Sequence, residues 1–300
     1  MFIYKKKCAV DPNILLTEIC NQRCPFCFAE DGMSNAKLKM MSPNNFHTLV
    51  QKLKKDNINT IRLLGGEPTL HPEFEKIIQI ALKNFHTIML FSNGFIPTKN
   101  QKIIKKNINR FIFNFNIGTP SFAHSTKQRN EAIRLMTYYS KETETNLGFT
   151  IWDLTYDYKK LFLYFSKATL KRVGIRFGYA KTIYNKKPLI SKEQFSQVGT
   201  VIADLTHFFH DVGAKQISID CGLMPTMFSN TDLKYVQSHA KIKGWGCSGK
   251  WGGIDIDTDL SAFPCYPKSK MLKISPTKLR TDGIDIFNKF YKSKMPQCYE

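Results

Sequence analysis

The 300-residue sequence contains no run of roughly 18 uncharged apolar residues, the minimum for a membrane-spanning helix. Its N-terminus, MFIYKKKCAVDPN, carries three lysines but no apolar h-region after them, so no secretory signal is read and a cytoplasmic location is expected. Internal repeats and low-complexity linkers are absent, which excludes solenoid and array architectures. No CxxC…HxxxH spacing and no helix-turn-helix pattern occurs, which argues against a zinc-finger or helix-turn-helix nucleic-acid module. Acidic residues are scarce: 24 Asp and Glu stand against 44 Lys and Arg, a formal net charge of +20. That excess suits an acidic partner, whether RNA, an acidic peptide or an acidic electron-transfer protein. It is spread along the chain, with only short runs such as Lys5 to Lys7 and Lys52 to Lys55, so a biased base composition explains it equally well.

What is present reads as an α/β protein. Asn13 to Thr17 is a short apolar run. Ser42-Pro43 supplies an N-cap and a first-turn proline for a helix to about Lys55. Strands are expected at Thr60 to Leu64, His86 to Ser92, Arg110 to Ile117, Asn146 to Trp152 and Arg172 to Tyr179. Helices are expected at Glu73 to Asn84, Thr126 to Ser140, Tyr158 to Thr169 and Lys192 to Val212; the first has an apolar stripe of Ile77, Ile78, Ile80, Ala81 and Phe85. Strand–helix alternation on this scale predicts a parallel sheet, a partial (β/α)6 TIM-like barrel with chemistry at the C-terminal strand ends. After a strand at Gln216 to Asp220 the composition turns to glycine, proline and aromatics. The expected division is an N-terminal arm (1–12), a barrel core (13–213) and a small cysteine-containing C-terminal region (214–300).

Of eight cysteines, three fall within eight consecutive residues, Cys20-Asn-Gln-Arg-Cys24-Pro-Phe26-Cys27. Clustered thiols in a reducing compartment are metal ligands, and thiolates select zinc, copper(I) or iron–sulfur clusters. A structural zinc site needs four closed ligands, and no fourth cysteine or histidine lies nearby; a distant residue such as His71 would have to complete it.

The CxxxCxxC spacing with aromatic Phe26 resembles the cluster loop of the radical S-adenosylmethionine (SAM) superfamily. Gly65-Gly66-Glu67-Pro68, at the end of the second strand, resembles that superfamily's second motif. The resemblance spans roughly residues 13 to 180. It implies a 4Fe–4S cluster on Cys20, Cys24 and Cys27, with the open iron chelating the methionine end of SAM. It further implies that Gly65 and Gly66 let backbone approach that methionine, with Pro68 beside them, and that Glu67 holds its ammonium group. Ser92 and Asn93 resemble the third-strand SAM contact, Ser92-Asn93-Gly94 being also an ordinary turn sequence. Asn114, Asn116 and Arg176 are candidate polar ligands inside the barrel, Arg176 for the SAM carboxylate or the substrate. Gly148 to Ile151 is similar to the segment along adenine. His71, in a His-Pro pair, is expected to be structural.

Cys247 and Cys265 enclose an Asp-containing hairpin that resembles the SPASM and twitch auxiliary iron–sulfur domains. The cysteine set departs from the full pattern, since Cys298 stands alone. Cys221, Cys247, Cys265 and Cys298 could together hold one auxiliary 4Fe–4S cluster, or a ligand could lie past residue 300. Without that cluster, Cys221 becomes a candidate hydrogen-atom donor, as in peptide epimerases; Cys8 is an ordinary thiol. The implied activity is reductive SAM cleavage to a 5′-deoxyadenosyl radical, with flavodoxin or ferredoxin as acidic electron donor. A ribosomally made peptide is the leading substrate, ahead of a small molecule or RNA. About 12 residues precede the first strand, so no fused leader-binding domain is expected. The reading of another class is a non-enzymatic zinc- or cluster-binding nucleic-acid module, which leaves the Gly-Gly-Glu-Pro motif unexplained.

Overall fold

The computed structural model describes residues 12–27, 39–55, 58–119, 125–180, 188–246, 255–263 and the backbone of 277–278. Eight parallel strands run in chain order across one sheet: β1 (Asn13–Leu15), β2 (Thr60–Leu64), β3 (Thr87–Ser92), β4 (Phe111–Asn116), β5 (Thr145–Ile151), β6 (Gly174–Tyr179), β7 (Gln216–Ile219) and β8 (Lys241–Ile242). On the free edge of β1 the chain adds β9 (Asp255–Ile256), parallel to it, then β10 (Ser261–Phe263), antiparallel to β9, and β11 (Thr277–Lys278), antiparallel to β10. The sheet is open, with β8 and β11 at its edges. It runs on across residue 214, so the C-terminal hairpin extends the same sheet rather than standing beside it. That hairpin carries the expected Asp-containing turn: the Leu260 N–H donates to the Asp257 carbonyl at 3.0 Å, and Leu260 adopts φ 67°.

Side chains alternate across each strand, and here the two faces differ in kind. The outer face of β2 to β7 is apolar and buried under helices: Ile61, Leu63, Ile88, Leu90, Phe111, Phe113, Phe115, Leu147, Phe149, Ile175, Phe177, Ile217 and Ile219. Tyr139 stacks on Phe113 with ring centroids 4.4 Å apart. The covering helices are α1 (Pro43–Lys55), α2 (Phe74–Asn84), α3 (Thr98–Lys106), α4 (Thr126–Glu142), α5 (Lys167–Leu170), α6 (Phe195–Asp211) and α7 (Asn230–His239). The Ser42 hydroxyl caps α1, accepting from the Asn45 N–H at 3.1 Å. The inner face is polar, presenting Asn114, Asn116, Asn146, Arg176 and Ser218 in register.

The periodicity reading places no helix at α3 or α7 and misreads a third element. The helix expected over Tyr158 to Thr169 is a 3-10 turn (Tyr158–Leu161), a turn and the four-residue α5. Aromatic docking breaks it: Phe162 turns edge-on into Phe209 at 4.7 Å, the Tyr158 hydroxyl accepts the Trp152 and Asp153 N–H groups, and Ser166 caps a new start. Helix α7 escaped the sequence reading because only Val236 in it is buried, leaving no apolar stripe.

Candidate functional site

The cysteine loop leaves β1 and lies against the end of β2. Leu16 donates to the Leu64 carbonyl at 2.8 Å; Gly66 and Glu67 donate to the Thr17 and Ile19 carbonyls, both at 2.7 Å. These contacts require glycine. A Cβ at Gly65, whose φ is 153°, would sit 2.4 Å from the Thr17 oxygen, and one at Gly66 would sit 2.3 Å from the Ile19 oxygen. A side chain at either position would run into the chain's own backbone, so the glycines seat the cysteine loop against β2. Gly66→Ala is expected to cost roughly 2–3 kcal/mol through backbone displacement, read as a lower Tm together with loss of iron retention after reconstitution.

Within the loop, the Gln22 N–H donates to Cys20 Sγ at 3.4 Å, and the Cys27 N–H to the Cys24 carbonyl at 2.9 Å. Phe26 and the three cysteines are half-buried. Burial pushes the Cys24 thiol up to about 12, with Cys27 and Cys20 adding to the effect; burial also raises Cys20. Thiols raised in this way need a cationic group among them to become thiolates together. Among the described residues no three ligating side chains close on a single ion. Three thiols gathered in one eight-residue loop are soft donors of the kind that hold an iron–sulfur cluster. His71 offers no fourth ligand: Nε2 lies 3.0 Å from the Met41 carbonyl, and Nδ1 accepts the Glu73 N–H at 3.0 Å. It is structural, as expected.

Glu67 differs from its expected role. It is wholly buried, with Oε1 accepting from the Thr69 N–H (3.2 Å), the Thr69 hydroxyl (2.6 Å) and the Ser92 hydroxyl (3.1 Å). Oε2 accepts from the Asn93 N–H at 2.8 Å. Burial raises its carboxyl, and the Thr69, Asn93 and Ser92 donors oppose the rise. The side chain thus braces the end of β2 to the end of β3 and presents no surface to an ammonium group. Ser92 is absorbed in the same brace. Asn93 reaches the cysteine loop, its Nδ2 lying 2.7 Å from Asn21 Oδ1 and 3.9 Å from Cys20 Sγ. Pro68 opens the buried turn Pro68–Leu70.

Asn114 and Asn116 alternate with the buried Phe113 and Phe115 and so share the inner face, Asn114 buried and Asn116 exposed. In the segment Gly148 to Ile151, Phe149 and Ile151 are packed in the core, so only Gly148 and Thr150 can face inward. Arg176 Nε pairs with Asp220 Oδ1 at 2.9 Å, and Lys243 Nζ reaches the same oxygen at 2.9 Å. Burial alone would raise the Asp220 carboxyl, but Arg176 and Lys243 overrule it and hold it at about 2. Cys221 follows Asp220 in a loop pinned by Gly222, half-buried at the same end of the sheet as the cysteine triplet. Cys8, Cys247, Cys265 and Cys298 lie outside the described residues. Asn21, Thr69, Arg62, Asp220 and Lys243 were not singled out from sequence. A charged residue in the inner phase of a strand, as Arg62 is in TIRLL, was the available signal for one of them.

Residues 14–147 match the family described as the Radical SAM superfamily. Over these residues the chain resembles a radical SAM domain. That family of enzymes uses a 4Fe–4S cluster and SAM, and the thiol loop and its glycine seat fit such a cluster. The chain is 36% identical over 84 residues to molybdenum cofactor biosynthesis protein 1 of Mus musculus, covering 27% of this chain and 13% of that one. It is 33% identical over 97 residues to GTP 3′,8-cyclase of Aquifex aeolicus, covering 31% and 30% of the two chains. The match thus spans less than a third of these relatives' length. In three dimensions the chain resembles SuiB of Streptococcus suis bound to S-adenosylmethionine, with a TM-score of 0.66 at 12% identity, over 93% of this chain and 66% of that one. The hydrogenase maturase HydG superposes at 0.50 with 13% identity, over 80% of this chain and 57% of that one. No helix among the described residues is long and apolar enough to cross a membrane.

Proposed function

We propose that this protein reductively cleaves SAM and uses the resulting radical to abstract hydrogen from a substrate, most simply a ribosomally made peptide. The observation that carries the chemistry is the thiol loop locked by Gly66 and Glu67 onto the end of β2, at the C-terminal rim of a parallel sheet. When bound, the cluster and SAM supply a one-electron cleavage of the sulfonium that yields the 5′-deoxyadenosyl radical. Cys20, Cys24 and Cys27 would hold the cluster, and Asn93 would fix the Cys20 side of the loop. Glu67 and Ser92 would keep the two strand ends in register rather than touch SAM. Phe26, Asn114, Asn116 and Arg176 would line the space beyond, and helices on the outer face exclude water from the core. Cys221 at the same rim would be placed to return a hydrogen atom to a substrate radical. A flavodoxin- or ferredoxin-like acidic donor suits the net charge of +20.

Support for a peptide is the fold likeness to SuiB, which has also been solved bound to its precursor peptide SuiA. A nucleotide substrate is the second reading, supported by curated relatives named GTP 3′,8-cyclase. The test is anaerobic reconstitution with iron and sulfide, followed by SAM and dithionite. About four irons per chain with 5′-deoxyadenosine formed is the expected result, and about eight would point to an auxiliary cluster on the C-terminal cysteines. Zinc in place of iron, with no deoxyadenosine, would sink the enzyme reading.

A further inference from the structure

The inner face near the strand ends is cationic. Strand register puts Arg62 beside Asn13, and puts Arg176, Ser218 and Lys241 in one row across β6, β7 and β8. Lys243 follows β8 and meets Asp220 one residue past β7. The named charges on this face are therefore Arg62, Arg176, Lys241 and Lys243 against Asp220 and Asp255, the latter bonded to Asn13 at 2.7 Å. Arg62 and Arg176 both lie over the Phe91 ring, at 5.4 and 5.7 Å from its centroid. The negative ring face lets two guanidinium groups share one neighbourhood despite their like charge. No side chain stands at position 178, where a Cβ would come within 2.9 Å of the Asp220 Cβ, so Asp220 can lie close to β6 and reach Arg176. The site remains open: Arg176, Lys243 and Asp220 side chains are 27%, 24% and 31% exposed. Burial lowers the Lys243 amine, and Arg176 lowers it further, so positive charge is crowded here even with Asp220 in place.

We infer that Arg62, Arg176 and Lys243, gathered around Phe91 and Asp220 on the inner face, are the seat of an oxyanion of the substrate, a carboxylate or a phosphate. The inference rests on the radical SAM reading for the word substrate and on geometry for the seat. Arg supplies planar paired donors and Lys a point charge, the combination that holds a tetrahedral or planar oxyanion. Arg62, Phe91 and Arg176 lie within three residues of the C-terminal ends of β2, β3 and β6, the rim from which the cysteine loop springs. An anchored anionic group there would orient the remainder of the substrate toward that loop. A phosphate fits a nucleotide, and a carboxylate fits an acidic peptide side chain or chain end.

The experiment is calorimetric titration of the cluster-reconstituted full chain, under saturating SAM, with inorganic phosphate in one arm and glutarate in the other. One-to-one binding of at least one of them below about 10 mM is expected, the tighter arm naming the source of the oxyanion. Arg62→Gln and Lys243→Gln should each weaken it by about tenfold. Asp220→Asn should tighten it severalfold, because it frees both cations; a variant that merely misfolds cannot produce that opposite sign. The seat is overturned if neither anion binds, if saturating SAM displaces the anion, or if Asp220→Asn weakens binding along with the others. Displacement would mean that these cations serve the SAM carboxylate. A wild-type chain that binds the anion but cleaves no SAM would sink the proposed function and leave the seat standing.

Discussion

Cys24→Ala is expected to abolish cluster retention and, with it, SAM cleavage. Three thiols in an eight-residue loop are the whole described ligand set, so removing one leaves two, too few to hold a cubane against exchange with water and buffer thiols. Cys24 is the most informative of the three. Its thiol is the one pushed up to about 12, by burial first and then by Cys27 and Cys20, so it ionises only when a cation shares the loop. Iron after anaerobic reconstitution and desalting should fall to background. Formation of 5′-deoxyadenosine should fall at least about a thousandfold, which corresponds to roughly 4 kcal/mol or more of barrier. Cys24→Ser should behave alike, because a hydroxyl is neither soft nor readily ionised. The apo chain should melt within about 1 °C of wild type, since the side chain is half-buried and its sulfur's contact with Gln22 Oε1, at 3.7 Å, is weak. Retention of a full complement of iron by Cys24→Ala would refute the assignment of this loop.

The second large effect falls on stability. Glu67→Ala removes the acceptor for two backbone N–H groups and two hydroxyls in a place with no access to water. The hydroxyls of Thr69 and Ser92 can turn toward other acceptors; the Thr69 and Asn93 N–H groups cannot. With about 1–3 kcal/mol for each stranded donor and a small cavity besides, the loss is roughly 3–5 kcal/mol, out of a total stability typically of 5–15 kcal/mol. A melt of the apo protein should show Tm lower by roughly 5–8 °C. Glu67→Gln should lose about half as much, because its Oε1 still accepts from Thr69 while its amide nitrogen opposes the Asn93 N–H. Because this comparison is made without cluster or SAM, it separates a brace from a ligand contact. An unchanged Tm accompanied by weaker SAM binding would restore the carboxylate to the ammonium-holding role.

The linear sequence determined the central strands, most of the long helices and the chemistry of the triplet, because those depend on spacing. Alternation in Thr60–Leu64 and Phe111–Asn116 fixes which side chains go under the helices, and CxxxCxxC puts three soft donors within one loop whatever surrounds them. Ser42 announced its helix for the same reason: a cap acts on N–H groups two or three residues away. Tertiary structure alone decided the rest. Gly65 and Gly66 signal a close approach, but only the fold shows that Thr17 to Ile19 is a backbone they approach. Glu67 signals a charge at a strand end, but whether it faces a ligand or Thr69, Ser92 and Asn93 depends on β3 lying beside β2. Asp220 and Lys243 are unremarkable in sequence and meet Arg176 only because β6, β7 and β8 are neighbours. The break in the expected Tyr158 to Thr169 helix likewise depends on Phe209, more than forty residues along the chain, offering its edge to Phe162. Local rules of capping and period act over a few residues, whereas enclosure, ion pairing and aromatic docking depend on strand order, which no single stretch of sequence contains.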